Sequence, residues 1–269
     1  MPETSGTAAA LARDEALLSR VEDASINASA PPQQRWLDGW ILRFSPGKAK
    51  RARCINAVAS GHLPLERRLH LAAEVFREAG LPMVVRITRF TQPASLDAEL
   101  AARGYAKLDD TRVMVCPALP AISSRPLPLG TRWVPLDAAA YAEAVGALRG
   151  SPAEQRLAHA QRLAASPVPY RGHAIVRDSD GQVLACGQYA REAELFGLYD
   201  VYTLESARGQ GLARLLCECL LAIAALEGGV TAYLQVESDN LPARRLYASL
   251  GFADGYAYHY RQAPPAAAD

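Results

Sequence analysis

The sequence has almost no net charge. Its 269 residues include 29 basic and 28 acidic side chains, a formal balance of +1. That excludes the broadly basic surface that nucleic acids select and the polybasic face that anionic membranes select. Local basic clusters (Lys48, Lys50, Arg51 and Arg53; then Arg67 and Arg68) read as solvated faces. Cysteine is scarce as well. Cys54, Cys116, Cys186, Cys217 and Cys219 are scattered and odd in number, and no pair has metal-ligand spacing with histidines nearby. They are expected to be reduced thiols packed as core filler in a cytoplasmic protein that holds no metal. Long hydrophobic runs are also missing. The longest apolar-periodic stretch, Leu212 to Leu226, is interrupted by Arg214 and Glu218, which is unsuited to crossing a bilayer. The start, Met1 to Ser5, has neither the basic region nor the apolar run of a secretion signal.

What is present is core-forming material. Half of the residues are hydrophobic, enough for one large domain or two ordinary ones. Helical spacing runs from Ala8 to Ile26 and stops at Pro31 and Pro32. Trp36 to Phe44 reads as a strand with Gly39 inside it, closed by a turn at Pro46 and Gly47. Its expected partner is Arg53 to Ala59. A helix is expected from Leu65 to Ala79, with Gly80 as its stop. A strand from Met83 to Thr88, a helix from Ser95 to Arg103 and a strand from Thr111 to Cys116 follow. Turn formers crowd Pro117 to Gly130, which places a join at residues 120–129. Beyond it come a strand (Arg132 to Leu136), two helices (Ala138 to Arg149, Ala153 to Ala165) and a hairpin across Asp178 to Gly181. Glu194 to Thr203 is the next strand.

That strand leads into the most informative stretch. After Thr203 come a short polar turn, then Arg208, Gly209, Gln210, Gly211, Leu212 and Ala213, then the long apolar helix. The glycines let the backbone turn tightly and approach a ligand, and the helix start offers unpaired N–H groups and the positive end of a dipole. Such a place suits a phosphate or pyrophosphate. It is not the phosphate loop of nucleotide hydrolases, because no Gly-Lys-Ser/Thr follows, nor the dinucleotide fingerprint Gly-x-Gly-x-x-Gly. The spacing is Arg208-x-x-Gly211-x-Ala213. A strand, Thr231 to Glu237, follows the helix. Asn240, Ala243, Leu246, Tyr247, Leu250, Gly251 and Phe252 then come at tight intervals.

The first pattern resembles the pyrophosphate motif Arg/Gln-x-x-Gly-x-Gly/Ala of the GNAT superfamily of acyl-CoA-dependent N-acyltransferases. The second is similar to that family's Asn-x-x-Ala-x-x-Leu-Tyr-x-x-x-Gly-Phe. The resemblance covers Gly130 to about Arg261. It implies an N-acetyltransferase moving an acetyl group from acetyl-CoA to a primary amine by direct attack. Gly209, Gln210, Gly211, Leu212 and Ala213, with Arg208, would hold the pyrophosphate. The edge Val201, Tyr202 and Thr203 would pair with the pantetheine, joined by Asn240, Ala243 and Tyr247. Tyr247 would be the general acid on the departing thiolate, since a phenol is protonated at neutral pH. The general base stays open between Asp200, Glu194 and a water chain, with Asp200 the named candidate; a bulge in the strand would alter which face each occupies.

The first half echoes the second. Gly80 to Thr88 and then Leu100 to Tyr105 parallel Gly229 to Glu237 and then Tyr247 to Phe252. The expected fold is therefore α/β in the α+β sense: two GNAT-like domains, each a mixed, largely antiparallel sheet flanked by helices. Residues 1–119 would form a diverged domain and residues 130–269 the acetyltransferase. In the first half Leu100 stands in the slot of Tyr247, and Pro64 removes an N–H that a phosphate would use, so it is not expected to bind CoA. The expected acceptor is a small amine or amino-acid-like molecule, with no nucleic acid or membrane partner; a homodimer is compatible. A CoA-binding sensor without turnover and a tandem interaction module are the other readings.

Overall fold

A computed structural model describes Leu11 and residues 14–45, 49–120 and 125–264. In chain order the elements are α1 (Glu15–Ala28), β1 (Gln34–Leu37), β2 (Trp40–Arg43), β3 (Ile55–Ala57), α2 (Leu65–Glu78), β4 (Val84–Thr88), α3 (Leu96–Ala102) and β5 (Ala106–Cys116). They continue as β6 (Thr131–Leu136), α4 (Ala138–Leu148), α5 (Ala153–Ala164), β7 (Tyr170–Arg177), β8 (Val183–Glu192) and β9 (Leu195–Thr203). The last are α6 (Leu212–Leu226), β10 (Thr231–Glu237), α7 (Leu241–Ala248) and β11 (Ala253–Gln262). This is the mixed, mostly antiparallel sheet with flanking helices that the sequence implies. Among the described residues no helix is long and apolar enough to cross a membrane.

The chain packs as two compact units that do not follow chain order. Of the described residues, the larger gathers those up to Ala28 with those of 114–236 and 240–255; the smaller holds those of 29–113, 237–239 and from Tyr256 onward. A division at 120–129 separates the two echoes in sequence, whereas packing cuts the chain elsewhere. The cause is burial. Leu18, Val21, Ala24 and Ala28 form an apolar stripe on α1, and its 14 residues count with the larger unit.

In the larger unit the strand order is the end of β5, then β10, β9, β8, β7 and β6. β9 and β10 are parallel, so they need a crossover, and α6 supplies it. Leu215, Leu216, Leu220, Leu221 and Ala224 of α6 pack against Phe196, Leu198, Ala232 and Leu234. Each fully buried leucine contributes roughly 1.5–3 kcal/mol. On the other face Tyr141 and Val145 of α4 and Leu163 of α5 cover Ala174, Val176 and Cys186. All five cysteines are free thiols, and burial pushes that of Cys116 up to about 11.

The smaller unit runs β1, β2, β3, β4, β11. β3 and β4 are parallel across α2, and β11 closes antiparallel on β4. The run β3, α2, β4, α3, β5 thus repeats β9, α6, β10, α7, β11: strand, helix, parallel strand, short helix, long strand. This is the structural counterpart of the sequence echo.

The stretch Trp36 to Phe44 is not one strand. Asp38 and Gly39 both take positive φ, +42° and +84°, and turn β1 back on β2. Asp-Gly between two strands is a hairpin signal, and it overrides the alternation that suggested a continuous strand. The turn expected at Pro46 and Gly47, and the start of the helix expected from Ala8, lie outside the described residues.

Candidate functional site

The site begins where two parallel strands part. β9 and β10 pair from Leu195 with Thr231 to Leu198 with Leu234, and no further, although β9 continues to Thr203 and β10 to Glu237. Beyond Leu198 the register of β9 against β8 also changes. Tyr199 faces Gln188, yet Tyr202 faces Cys186. Asp200 and Val201 therefore stand together opposite Gly187, which is a β-bulge. Asp200 absorbs it with φ +51°, a left-handed conformation that aspartate tolerates better than most residues. A Cβ on Gly187 would come within 3.1–3.3 Å of Leu216, Leu220 and Val201, so a glycine lets α6 sit close over the bulge. Bulge and parting together leave a wedge between the strands.

The wedge leads to the glycine loop. A short 3-10 turn at Glu205–Ala207 follows β9, and Arg208 is extended. Gly209 and Gly211 take φ +77° and +78°. Nothing lies within 4 Å of where a Cβ on either would stand, so their backbone conformation, not crowding, calls for glycine. Gly211 caps α6 without a side-chain hydrogen bond, and no acidic residue occupies the helix's first turn. Gly209, Gln210 and Gly211 are exposed, Leu212 is buried and Ala213 half-buried. The exposed Arg208 lies 5.7 Å from the Tyr202 ring centroid, with Nη2 donating to the Tyr202 hydroxyl at 3.3 Å. Val201, Tyr202 and Thr203 are half-buried along the edge between bulge and loop. A pocket of about 700 Å³ flanks the loop, lined by Gln210, Leu212, Leu184, Arg177 and the turn before β6.

α7 carries the second group of expected residues. The Asn240 side chain accepts from the Ala243 N–H at 3.2 Å and caps the helix. Tyr247 is 9 % exposed and meets Phe252 edge-on, ring centroids 6.1 Å apart. Burial, with Cys217 nearby, pushes its hydroxyl well above the usual phenol range, so it keeps its proton at neutral pH. Among the described residues that hydroxyl makes no hydrogen bond. Its ring belongs to the same apolar cluster as α6.

Residues 148–252, which hold the wedge, the loop and α7, match the family model described as Acetyltransferase (GNAT) family. This segment is similar to the GNAT acetyltransferases. Acetyl transfer is therefore the class of chemistry the match supports. Across 232 residues the chain is 27 % identical to a protein from Bacillus subtilis described as an uncharacterized N-acetyltransferase, covering 85 % of this chain and 91 % of that one. Among solved structures, a GCN5-related N-acetyltransferase from Kribbella flavida superposes with a TM-score of 0.63 at 19 % identity, over 92 % of this chain and 96 % of the other. A tandem GNAT protein from the clavulanic acid biosynthesis pathway gives 0.62 at 16 % identity, over 75 % and 70 %. At such identities the structures speak for the fold alone, and one of them is a tandem.

The larger unit also contains groups that sequence reasoning passed over. The Asp200 carboxylate is surrounded. Arg149 Nη2 stands 3.1 Å from Oδ1, Gln188 Nε2 donates to Oδ2 at 3.1 Å, and His159 Nε2 lies 3.5 Å from Oδ2. The Tyr141 hydroxyl donates to the Asp200 carbonyl at 2.8 Å, fixing the bulge from α4. Glu194, the other candidate base, is bound to Arg20 at the opposite end of β9. Near the last β9–β10 pair the hydroxyls of Tyr199 and Tyr233 meet at 3.0 Å, Tyr170 packs edge-on against Tyr199, and Ser25 of α1 hydrogen bonds Gln235. Arg149, His159 and Gln188 reach Asp200 from three elements. Only Gly187 gave a local hint, since an isolated glycine inside a strand marks a bulge.

Proposed function

We propose that the chain transfers an acetyl group from acetyl-CoA to the nitrogen of a small primary amine by direct attack. The observation that carries this reading is the wedge between β9 and β10, opened at the Asp200–Val201 bulge and ending on the uncapped start of α6. A pantetheine arm adds to the free edge of Val201, Tyr202 and Thr203 as a strand would. The pyrophosphate rests on the N–H groups of residues 209–213, where dipole and orphan donors converge, and Arg208 supplies charge. The amine nitrogen forms a bond to the acyl carbon while the carbon–sulfur bond breaks. The sulfur takes a proton from Tyr247, which is protonated at neutral pH. Asn240 and Ala243 fix the start of α7, which aims Tyr247. The near-zero net charge favours a small acceptor over a polycationic tail.

The smaller unit does not take part in CoA binding on this reading. Ahead of α2, the N–H groups of His62 and Leu63 donate to the Asp38 carboxylate at 2.9 and 2.8 Å. These bonds hold the Asp38 carboxyl below its usual range. An internal carboxylate thus occupies the position a phosphate would take.

The test is thermal stability with and without acetyl-CoA, beside Arg208→Glu. Ligand at about a hundred times its dissociation constant stabilises by roughly 2.7 kcal/mol. A shift in the wild type that Arg208→Glu abolishes supports the site. No shift in either removes the acetyl-CoA reading.

A further inference from the structure

Asp200 does not act alone. It sits at the apex of the bulge, but its two oxygens are engaged by Arg149, Gln188 and His159. A carboxylate tied to a guanidinium at 3.1 Å is a weak base, because protonating it would leave Arg149 uncompensated. His159 is placed differently. It projects from α5 and meets the Tyr141 ring in a T-shaped contact, centroids 6.5 Å apart. Its Nε2 is shut from solvent against Asp200 and makes no aligned hydrogen bond there. The side chain is nevertheless 16 % open, and its Nδ1 has no hydrogen-bond partner among the described residues.

Resting on the acetyl-CoA reading above, we propose that His159 is the group that takes the proton from the acceptor amine, with Asp200 as the fixed counter-charge that orients the ring. The amine nitrogen loses a proton to Nδ1 of His159 as it attacks the acyl carbon. The ring then bears a positive charge facing Asp200 through Nε2–H. The carbon–sulfur bond breaks and the thiolate collects its proton from Tyr247, so protons and electron pairs balance without a further reactant.

The charged and titratable surroundings suit this task. Burial holds His159 below its ordinary value, so the ring is neutral and able to accept at neutral pH. Asp200 on β9 acts in the opposite sense, while Arg162 on the same helix and Arg149 at the end of α4 add to the lowering. Tyr141 on α4 is itself held protonated by its burial. A neutral imidazole beside a permanent carboxylate gains a proton more easily than its burial alone would allow.

The experiment has two arms. In the first, the imidazole proton resonances of wild type, His159→Ala and Asp200→Asn are followed from pH 5 to 8, the alanine variant identifying the His159 signal. The expected result is a His159 midpoint that falls by about one unit in Asp200→Asn, the scale of a close opposite charge. An unchanged midpoint overturns the pairing. In the second, thiol release from acetyl-CoA is measured against a panel of an alkylamine, an arylethylamine, an amino-acid amide and an amino sugar. His159→Ala is expected to lower kcat about 10²- to 10⁴-fold with KM for acetyl-CoA unchanged, to lose the acidic limb of the pH profile, and to regain turnover when imidazole is added. Turnover within twofold of wild type, or a loss that imidazole does not restore, overturns the proposal. If acetyl-CoA fails to stabilise the wild type while the His159 midpoint still depends on Asp200, the acetyl-CoA reading has failed, and this assignment of the proton falls with it.

Discussion

Gly211→Ala tests the loop with a sign as well as a size. At most positions where alanine can adopt the native backbone, replacing glycine stabilises by about 0.4–1 kcal/mol, because the unfolded chain loses freedom. At Gly211 the backbone has φ +78°, which costs an L-residue roughly 1–2 kcal/mol. Alanine is also a poorer N-cap than glycine, and Gly211 caps α6. No heavy atom lies within 4 Å of the new Cβ, so sterics add nothing and the conformational term stands alone. The expected result is a net loss of about 1 kcal/mol, read as a lower urea midpoint with an unchanged slope. A loss of acetyl-CoA affinity should accompany it, since relaxing φ turns the loop's N–H groups away from a common point. A variant more stable than wild type would refute the left-handed assignment and with it the geometry of the anion site.

Three further outcomes follow from the same structure. Tyr247→Phe keeps the ring against Phe252 and removes only the hydroxyl, so acetyl-CoA should still bind while turnover falls about ten- to a thousandfold. Asn240→Ala should cost about 1 kcal/mol of stability in a denaturant titration, the value of a side-chain cap, because its oxygen satisfies the Ala243 N–H. Stability should also fall on the acid side. His173 stacks between Trp133 and Tyr189 with Nδ1 buried, and burial lowers its pKa below the ordinary 6.5. Above about pH 6.5 its contribution is complete. As the pH falls from there toward the lowered folded value, the unfolded chain binds the proton first and stability is lost. Unfolding midpoints from pH 5 to 8 should show this slope, and His173→Phe should flatten it.

What could be read from sequence was local, and what could not was assembled from distant segments. Arg208 to Ala213 announced itself because positive φ at Gly209 and Gly211 is a demand on single residues. The cap at Asn240 is local too, since it joins residues three apart. The wedge itself was only half visible. The sequence of β9 allows a bulge, but its position follows from the register against β8, and no window of β9 contains that information. The surroundings of Asp200 were invisible in principle. Arg149, His159 and Gln188 lie 51, 41 and 12 residues from it along the chain and meet only once α4, α5 and β8 have packed. The hairpin at Asp38 and Gly39 was different: the turn signal was present, and the alternation of the flanking residues outweighed it.

That same turn explains how one architecture can serve two ends. Both runs of strand, helix and parallel strand deliver the start of a helix to the end of a strand. In the larger unit the start of α6 has no side-chain cap, no acidic first turn and open space above two left-handed glycines. In the smaller unit the start of α2 is met by the Asp38 carboxylate, and Arg68 stands 3.7 Å from it. A Cβ on Gly61 would fall within 2.4 Å of Asp38, so that glycine serves the close approach of the protein's own anion. The helix start attracts negative charge in both cases. Where the chain supplies that charge itself, the position becomes a fastening of the β1–β2 turn; where it does not, the position stays open to a ligand. Asp38→Asn should therefore loosen the smaller unit without creating CoA affinity, because Pro64 still lacks the N–H and no arginine matches Arg208.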